Sequence, residues 1–514
     1  MHIFPDIATF VIFAGLQHKY MGIVRKQSLY SSISIYIGFA FGAFNLLVLM
    51  PHIFNKEQIG LTRVLIDIAT LLATVASLGA VPVINKFFPF YQDYLTPKKN
   101  DLPKITIFVS ALGYLLFLLF AWIFHDLIVR KFSGNSKLLI DYFYALYPLT
   151  LCILVYNMLE GFAWGLHKTI ASNFWKEAGL RIVSTVILVI FGVAQLNFKL
   201  YIDLFSVPYA MAAVALLIVI WKTGELKIVG GFSSVTRRLG KRMVTFSSYV
   251  FTSHVFTLLR KMNDVLIITS VKGLAQAGLF SYATFVVNFM EVPQRSMYAI
   301  TTPILATAWK NKDMAKIAEL YTKSSITLSI VGMGIFGAIW LSTNNLVLFL
   351  GHGWEDISSV VFVLGIARMV DLVTGVNNQI IQTSNYWRFD FVCSILLVVL
   401  SITLNYFFVQ RWDITGAAYA DLITVTIFNL IRYCFIWFRF GVQPFSWKTL
   451  WVLLIGAAAI LIVRQLPFML NIYVDTIIRS GLYVLIFGAS VIMANLSEDV
   501  NIMWNNLKAK VIRK

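Results

Sequence analysis

Ser172-Asn173-Phe174-Trp175-Lys176 and Ser384-Asn385-Tyr386-Trp387-Arg388 are one motif written twice. Each copy stands just ahead of a long apolar segment. A second echo keeps step with it: Glu57-Gln58-Ile59-Gly60-Leu61 against Ala275-Gln276-Ala277-Gly278-Leu279. The two offsets agree to within about six residues, so the pairs read as one duplication. Duplicated halves made of membrane-length apolar stretches are the sequence pattern of a transporter.

Composition supports a membrane chain. It is 59% hydrophobic and only 13% charged, against roughly 25% charged for a soluble domain. That much apolar surface has to face lipid. The net charge of +18 does not point to nucleic acid, because the basic residues cluster in short loops between apolar runs, as membrane orientation requires. Cys152, Cys393 and Cys434 lie inside apolar segments and form neither a disulfide framework nor a metal set.

About 14 apolar segments have the roughly 17–25 residues that span hydrocarbon as a helix. They are 30–50, 59–83, 105–124, 139–163, 177–194, 203–221, 245–270, 275–304, 324–342, 358–380, 390–409, 416–438, 448–464 and 476–494. With both termini cytoplasmic, inner loops and tails hold roughly 27 Lys and Arg and outer loops roughly eight. One outer loop, with Arg130, Lys131 and Lys137, runs against the bias. The expected class is an all-α polytopic membrane protein. Residues 29–221 make an N-lobe of six helices, 222–243 a basic cytoplasmic linker, and 244–440 a C-lobe of six helices. Six is even, so the repeat is parallel, about an axis along the membrane normal. Residues 441–496 add helices 13 and 14, and 497–514 form a basic cytoplasmic tail. In the N-terminal segment 1–28, residues 1–20 read as an upstream extension before a natural start at Met21.

Two six-helix halves, a basic mid-loop and two added helices resemble the polysaccharide transporters. These belong to the superfamily of multidrug, oligosaccharidyl-lipid and polysaccharide exporters. The stretches that carry the resemblance are Asn55-Lys56-Glu57-Gln58-Ile59-Gly60-Leu61 with the helix ending Lys86-Phe87-Phe88-Pro89, Gly278-Leu279-Phe280-Ser281-Tyr282, and Thr415-Gly416-Ala417-Ala418-Tyr419-Ala420. It covers about residues 21–496, through order and spacing rather than any one motif. The resemblance implies two lobes around a central cavity. It also implies a flippase for undecaprenyl-linked oligosaccharide in the bacterial inner membrane, serving lipopolysaccharide, capsule or exopolysaccharide synthesis beside a polymerase and glycosyltransferases.

Charges inside spanning helices need a reason. Arg260, Lys261 and Asp264 form the densest group. Arg260 lies roughly 22 Å along a helix that starts near Thr245. Asp264 is one turn on, so either the two neutralise each other, or Asp264 holds Arg260 in a cationic wall for a pyrophosphate. Arg368 and Asp371 lie roughly 15 Å deep in segment ten. Asp67 follows Arg63 on segment two. Pro293, between Glu291 and Arg295, is a candidate gating kink. Glu160 and Asp421 lie near helix ends. Trp175 and Trp387 read as interfacial anchors. His254 has no partner at ligand spacing, so no metal is expected. The sequence lacks a phosphate-binding Gly-Lys-Ser/Thr loop. The energy source is then a proton or sodium gradient, membrane potential or product removal, and no cofactor is needed. A lipid II flippase, a drug exporter of the same superfamily, and a membrane-embedded glycosyltransferase or polymerase stay open as other readings. The last would be expected to carry an acidic site or a large loop, and no loop exceeds about 25 residues.

Overall fold

The computed structural model describes Ser34 and residues 36–166, 168–225, 230–467 and 471–497. The upstream extension at 1–20 and nearly all of the tail lie outside the described residues. The fold is all-helical, with no strand among the described residues. Its described residues divide into two compact units, one up to Gly278 and one from Leu279 onward.

The first unit holds α1 (Tyr36–Ile53), α2 (Lys56–Ala76), α3 (Ala80–Tyr94), α4 (Leu102–Ile123), α5 (Phe143–Gly165), α6 (Thr169–Ala194), α7 (Phe198–Trp221) and α8 (Ser234–Val271). The repeated Glu57-Gln58 stretch starts α2 with a capping box. Asn55 Oδ1 accepts from Gln58 N at 2.9 Å, and Gln58 Oε1 accepts from Asn55 N at 3.0 Å. The helix expected to run on to Pro89 instead breaks after Ala76. Leu78 and Gly79 both have positive φ (44° and 79°), and a Cβ on Gly79 would lie 2.0 Å from Ser247 Oγ. The chain restarts as α3. Ile84, Phe88 and Tyr91 of α3 pack with Phe162 of α5 and Leu216 of α7 in one core.

Helix α8 begins inside the basic linker rather than after it. Ser233 caps it, its Oγ accepting from Thr236 N at 3.1 Å. Both ends are tied into the first unit. At the start, Asp101 Oδ2 accepts from Ser233 N and from the Thr236 hydroxyl, both at 2.8 Å. Tyr91 Oη lies 2.7 Å from that hydroxyl. At the end, Ser136 Oγ donates to Thr269 O at 2.8 Å, and Asn135 donates to the carbonyls of Ser270 and Val271.

The next helix, α9 (Leu274–Val287), carries the second Gln-x-Gly copy. A Cβ on Gly60 would meet Leu274 O at 1.9 Å, and one on Gly278 would meet Lys56 O at 2.8 Å. Under the duplication Gly60 matches Gly278 and Lys56 matches Leu274. The contact is therefore reciprocal.

The second unit continues with α10 (Glu291–Asn311), α11 (Met314–Leu350), α12 (Ile357–Val373), α13 (Asn377–Thr383), α14 (Trp387–Phe440), α15 (Trp447–Arg464) and α16 (Ile472–Met493). α12 and α13 meet at 49°, across Gly375 (φ 63°), which packs on Ser324 and Ser325. α14 is two helices joined where Trp412 and Asp413 leave helical geometry. The added helices dock on α11. Tyr483 Oη donates to Met333 O at 2.7 Å, with its ring against Gly337.

Among the described residues ten helices are long and apolar enough to cross a membrane, or eleven with the bent α12–α13 pair counted as one span. The chain is a multi-pass membrane protein. Helices α8 and α10, the charged segments seven and eight of the sequence, are not in that set.

Candidate functional site

Each unit carries its own group of charges within its helices. In the first, Arg63 Nε lies 3.2 Å from Asp67 Oδ2, with Arg63 47% exposed and Asp67 11%. Arg181 of α6 pairs with Glu177 at 3.2 Å. Its guanidinium lies along α1, where a Cβ on Gly38 or Gly42 would meet it at 2.6 and 3.2 Å. Asn45 of α1 donates to Arg181 O and accepts from Thr185. The Tyr209 hydroxyl feels the charges of Arg63, Asp67 and Arg181. Beside it a small cavity of about 40 Å³ is lined by Ile66, Ser184, Tyr201, Leu204, Pro208 and Tyr209, among others. Nearer the end of α5, the buried Glu160 accepts from Lys176 of the repeated motif at 2.9 Å.

Arg260 differs from these. It is half-buried on α8, about 16 Å before the helix ends at 1.5 Å per residue. It makes no ion pair or hydrogen bond among the described residues, and the expected Arg260–Asp264 bridge is not formed. Asp264 is itself engaged elsewhere. The Lys261 side chain lies outside the described residues, as does that of Trp387.

In the second unit Glu291 holds two arginines, Arg295 at 2.8 Å and Arg368 at 2.9 Å. Arg368 therefore pairs with Glu291 and not with Asp371, three residues on. Asp371 instead accepts from Gln294 at 2.8 Å and Asn429 at 3.1 Å. Asn429 Oδ1 accepts from Thr374 and Asn377 across the α12–α13 break. One turn further along α14, Arg432 donates to Asp390 at 2.9 Å and to Asn378 at 2.8 Å. The interrupted helix thus lies in a polar network, where free backbone groups find partners. Pro293 sits in the first turn of α10, where its missing N–H costs nothing. Just before it lies the 3₁₀ turn Asn288–Met290.

Three arginines were missed from sequence. Arg181 and Arg432 lie in the clusters above. Arg479 is buried with Asp475 (3% and 0% exposed, 2.7 Å) and also donates to the Val463, Leu466 and Pro467 carbonyls that end α15. Two of them have a carboxylate four residues earlier, Glu177 and Asp475, and that spacing was the available signal. No group of three His, Cys, Asp or Glu residues able to hold a metal ion occurs among the described residues.

This architecture is that of known multi-pass transporters. The chain resembles the lipid II flippase MurJ in its inward closed conformation (TM-score 0.67, 14% identity, 91% of this chain and 99% of that one). It also resembles an inward-facing multidrug resistance MATE transporter of the MOP superfamily (TM-score 0.64, 13% identity, 84% and 97%). At these identities the likeness shows the fold. No protein-family profile matches the chain. Among curated proteins it is similar to the uncharacterized membrane protein MJ1375 of Methanocaldococcus jannaschii, 20% identical over 430 residues, covering 80% of this chain and 96% of that one.

Proposed function

We propose that this chain is a flippase for a lipid-linked oligosaccharide, working by alternating access and not as an enzyme. The observation that carries the reading is Arg260. We read α8 as crossing the membrane despite its charges, and an arginine inside such a helix costs about 3 kcal/mol on insertion scales unless it reaches water, a carboxylate or a ligand. The other intramembrane arginines described above have carboxylates, and Arg260 has none among the described residues. A phosphate on a lipid carrier would complete it, through the bidentate bonds a guanidinium donates. Lys261, Asp264, Asp67, Arg368 and Asp371 are proposed to line the path of the polar head, while a prenyl tail stays in lipid. Pro293, two residues from Arg368's partner Glu291, is proposed to let α10 bend during the cycle. A proton or sodium gradient is the proposed driving force. The proposed setting is a bacterial inner membrane with both termini cytoplasmic, in surface polysaccharide synthesis with a polymerase and glycosyltransferases as partners.

Lipid II itself is the second reading. The likeness to the lipid II flippase reaches 91% of this chain against 84% for the multidrug transporter, which favours a lipid-linked cargo over a free drug. The test is a variant series at the site, read as export of surface polysaccharide in the native host. Arg260→Ala is expected to lower export with normal protein in the membrane. Arg260→Lys restores only part of it, and Asp264→Ala harms less. A purely structural arginine predicts something else: both alanine variants lose folded protein, and the double variant recovers it with normal export.

A further inference from the structure

We propose that the first turns of α8 form a docking face for the headgroups of anionic phospholipids in the surrounding bilayer, separate from the transported cargo. Arg237, Arg238, Lys241 and Arg242 are all exposed there. No Asp or Glu occurs from Ser234 to Asn263, so no acid on this part of the helix offsets them; Asp264, the one acid on α8, lies more than 20 residues on from Arg242. The nearest acid bonded to it, Asp101, is 1% exposed and turned towards Ser233 and Thr236.

The rotation of the helix is fixed by packing. Val235 and Met243 are buried, and Leu239 and Phe246 lie against the same core. Steps of three and four residues put these on one face, which leaves the cations on the other. Arg238, Arg242, Thr245 and Tyr249 follow at the same steps along the exposed face. The bonds from Asp101 and Tyr91 to Thr236 hold this face in place. Tyr91 stays protonated, because burial pushes its hydroxyl up to about 12.

Charge alone would suit any polyanion. The apolar side chains beside it choose the partner. Phe232 is 65% exposed, Val244 68% and Tyr249 70%. A nucleic acid or acidic protein gives these residues no reason to stand open. A phospholipid gives one, since its phosphate meets the arginines while its glycerol and upper acyl carbons cover the apolar groups. Loop orientation by positive charge explains why basic residues occur in this stretch. It does not explain their confinement to one face with an apolar border.

Native mass spectrometry of the full chain in neutral detergent tests this, with phosphatidylglycerol, phosphatidylcholine and undecaprenyl phosphate as probes. Phosphatidylglycerol is expected to bind and phosphatidylcholine not. R238Q/R242Q should weaken phosphatidylglycerol binding roughly tenfold or more. R237Q/K241Q is a second pair on the same turns and should do likewise. K310Q/K312Q removes two exposed charges elsewhere and should leave binding unchanged. Equal loss in all three pairs, or equal binding of the two phospholipids, overturns the proposal. Displacement of phosphatidylglycerol by undecaprenyl phosphate at equal concentration also overturns it, and would assign the face to cargo. The readout requires no transport, so it stands or falls apart from the flippase reading.

Discussion

At the scale of the residue, what separates the arginines is what holds them. Arg479 and Arg432 are buried against Asp475 and Asp390, and Arg368 and Arg295 share Glu291. Removing one member of the buried Arg479 or Arg432 pair costs about 3–5 kcal/mol, because the other charge is left unpaired. Arg479→Ala also strips the Val463, Leu466 and Pro467 carbonyls of their donor. It is therefore expected to lower the thermal midpoint of the purified protein by many degrees, or to abolish folding, while Arg260→Ala leaves the midpoint nearly unchanged. Intrinsic fluorescence on heating reads both. A large drop for Arg260→Ala would count Arg260 among the structural pairs. Sequence located Arg260, Arg368, Asp371 and Asp67 as charges in apolar segments and paired Asp67 with Arg63, as the structure does, but did not name the partners of the other three. Spacing along one helix suggested Arg260–Asp264 and Arg368–Asp371. The actual partners Glu291, Gln294 and Asn429 come from other helices or from a turn across a break, which no local spacing reveals.

At the scale of the element, the glycines of the duplicated Gln-x-Gly stretch set how closely α2 and α9 approach. Gly60 and Gly278 leave no room for a side chain, and the atoms a Cβ would strike are backbone. Overpacking typically costs about 1–3 kcal/mol even where side chains can yield, and here whole helices must part. Gly60→Val and Gly278→Val are each expected to reduce the yield of monodisperse protein on size exclusion. The pair should cost less than the sum, since one crossing is already forced open. Additive losses would show that the two glycines act independently. Helices existed where the apolar windows placed them, because length and hydropathy report spans directly. Their breaks did not show. The turn at Leu78–Gly79 and the bend at Gly375 lie inside windows whose average stays apolar. The early start of α8 was hidden by its charges, although the Ser233-x-x-Thr236 cap was there to be read.

At the scale of the whole molecule, the account rests on orientation and on cargo. In a background lacking Cys152, Cys393 and Cys434, a cysteine at Phe232 should resist a membrane-impermeant maleimide applied from outside the cell. One at Asp356 should react. Both positions are exposed. Asn345 is buried and donates to Asp475 at 2.7 Å, so a label there would report access poorly. The reverse labelling pattern would invert the topology. The central claim, movement of a lipid-linked sugar between leaflets, is tested most directly in sealed proteoliposomes of the purified chain. They would hold an undecaprenyl pyrophosphate-linked oligosaccharide labelled on its sugar, with an added glycosidase unable to cross the bilayer. With the wild-type chain the enzyme is expected to digest nearly all of the labelled pool. With Arg260→Ala, or with empty liposomes, digestion should stop near the half that faces outward. Digestion that stops at half with the wild-type chain under an imposed proton or sodium gradient would contradict the account.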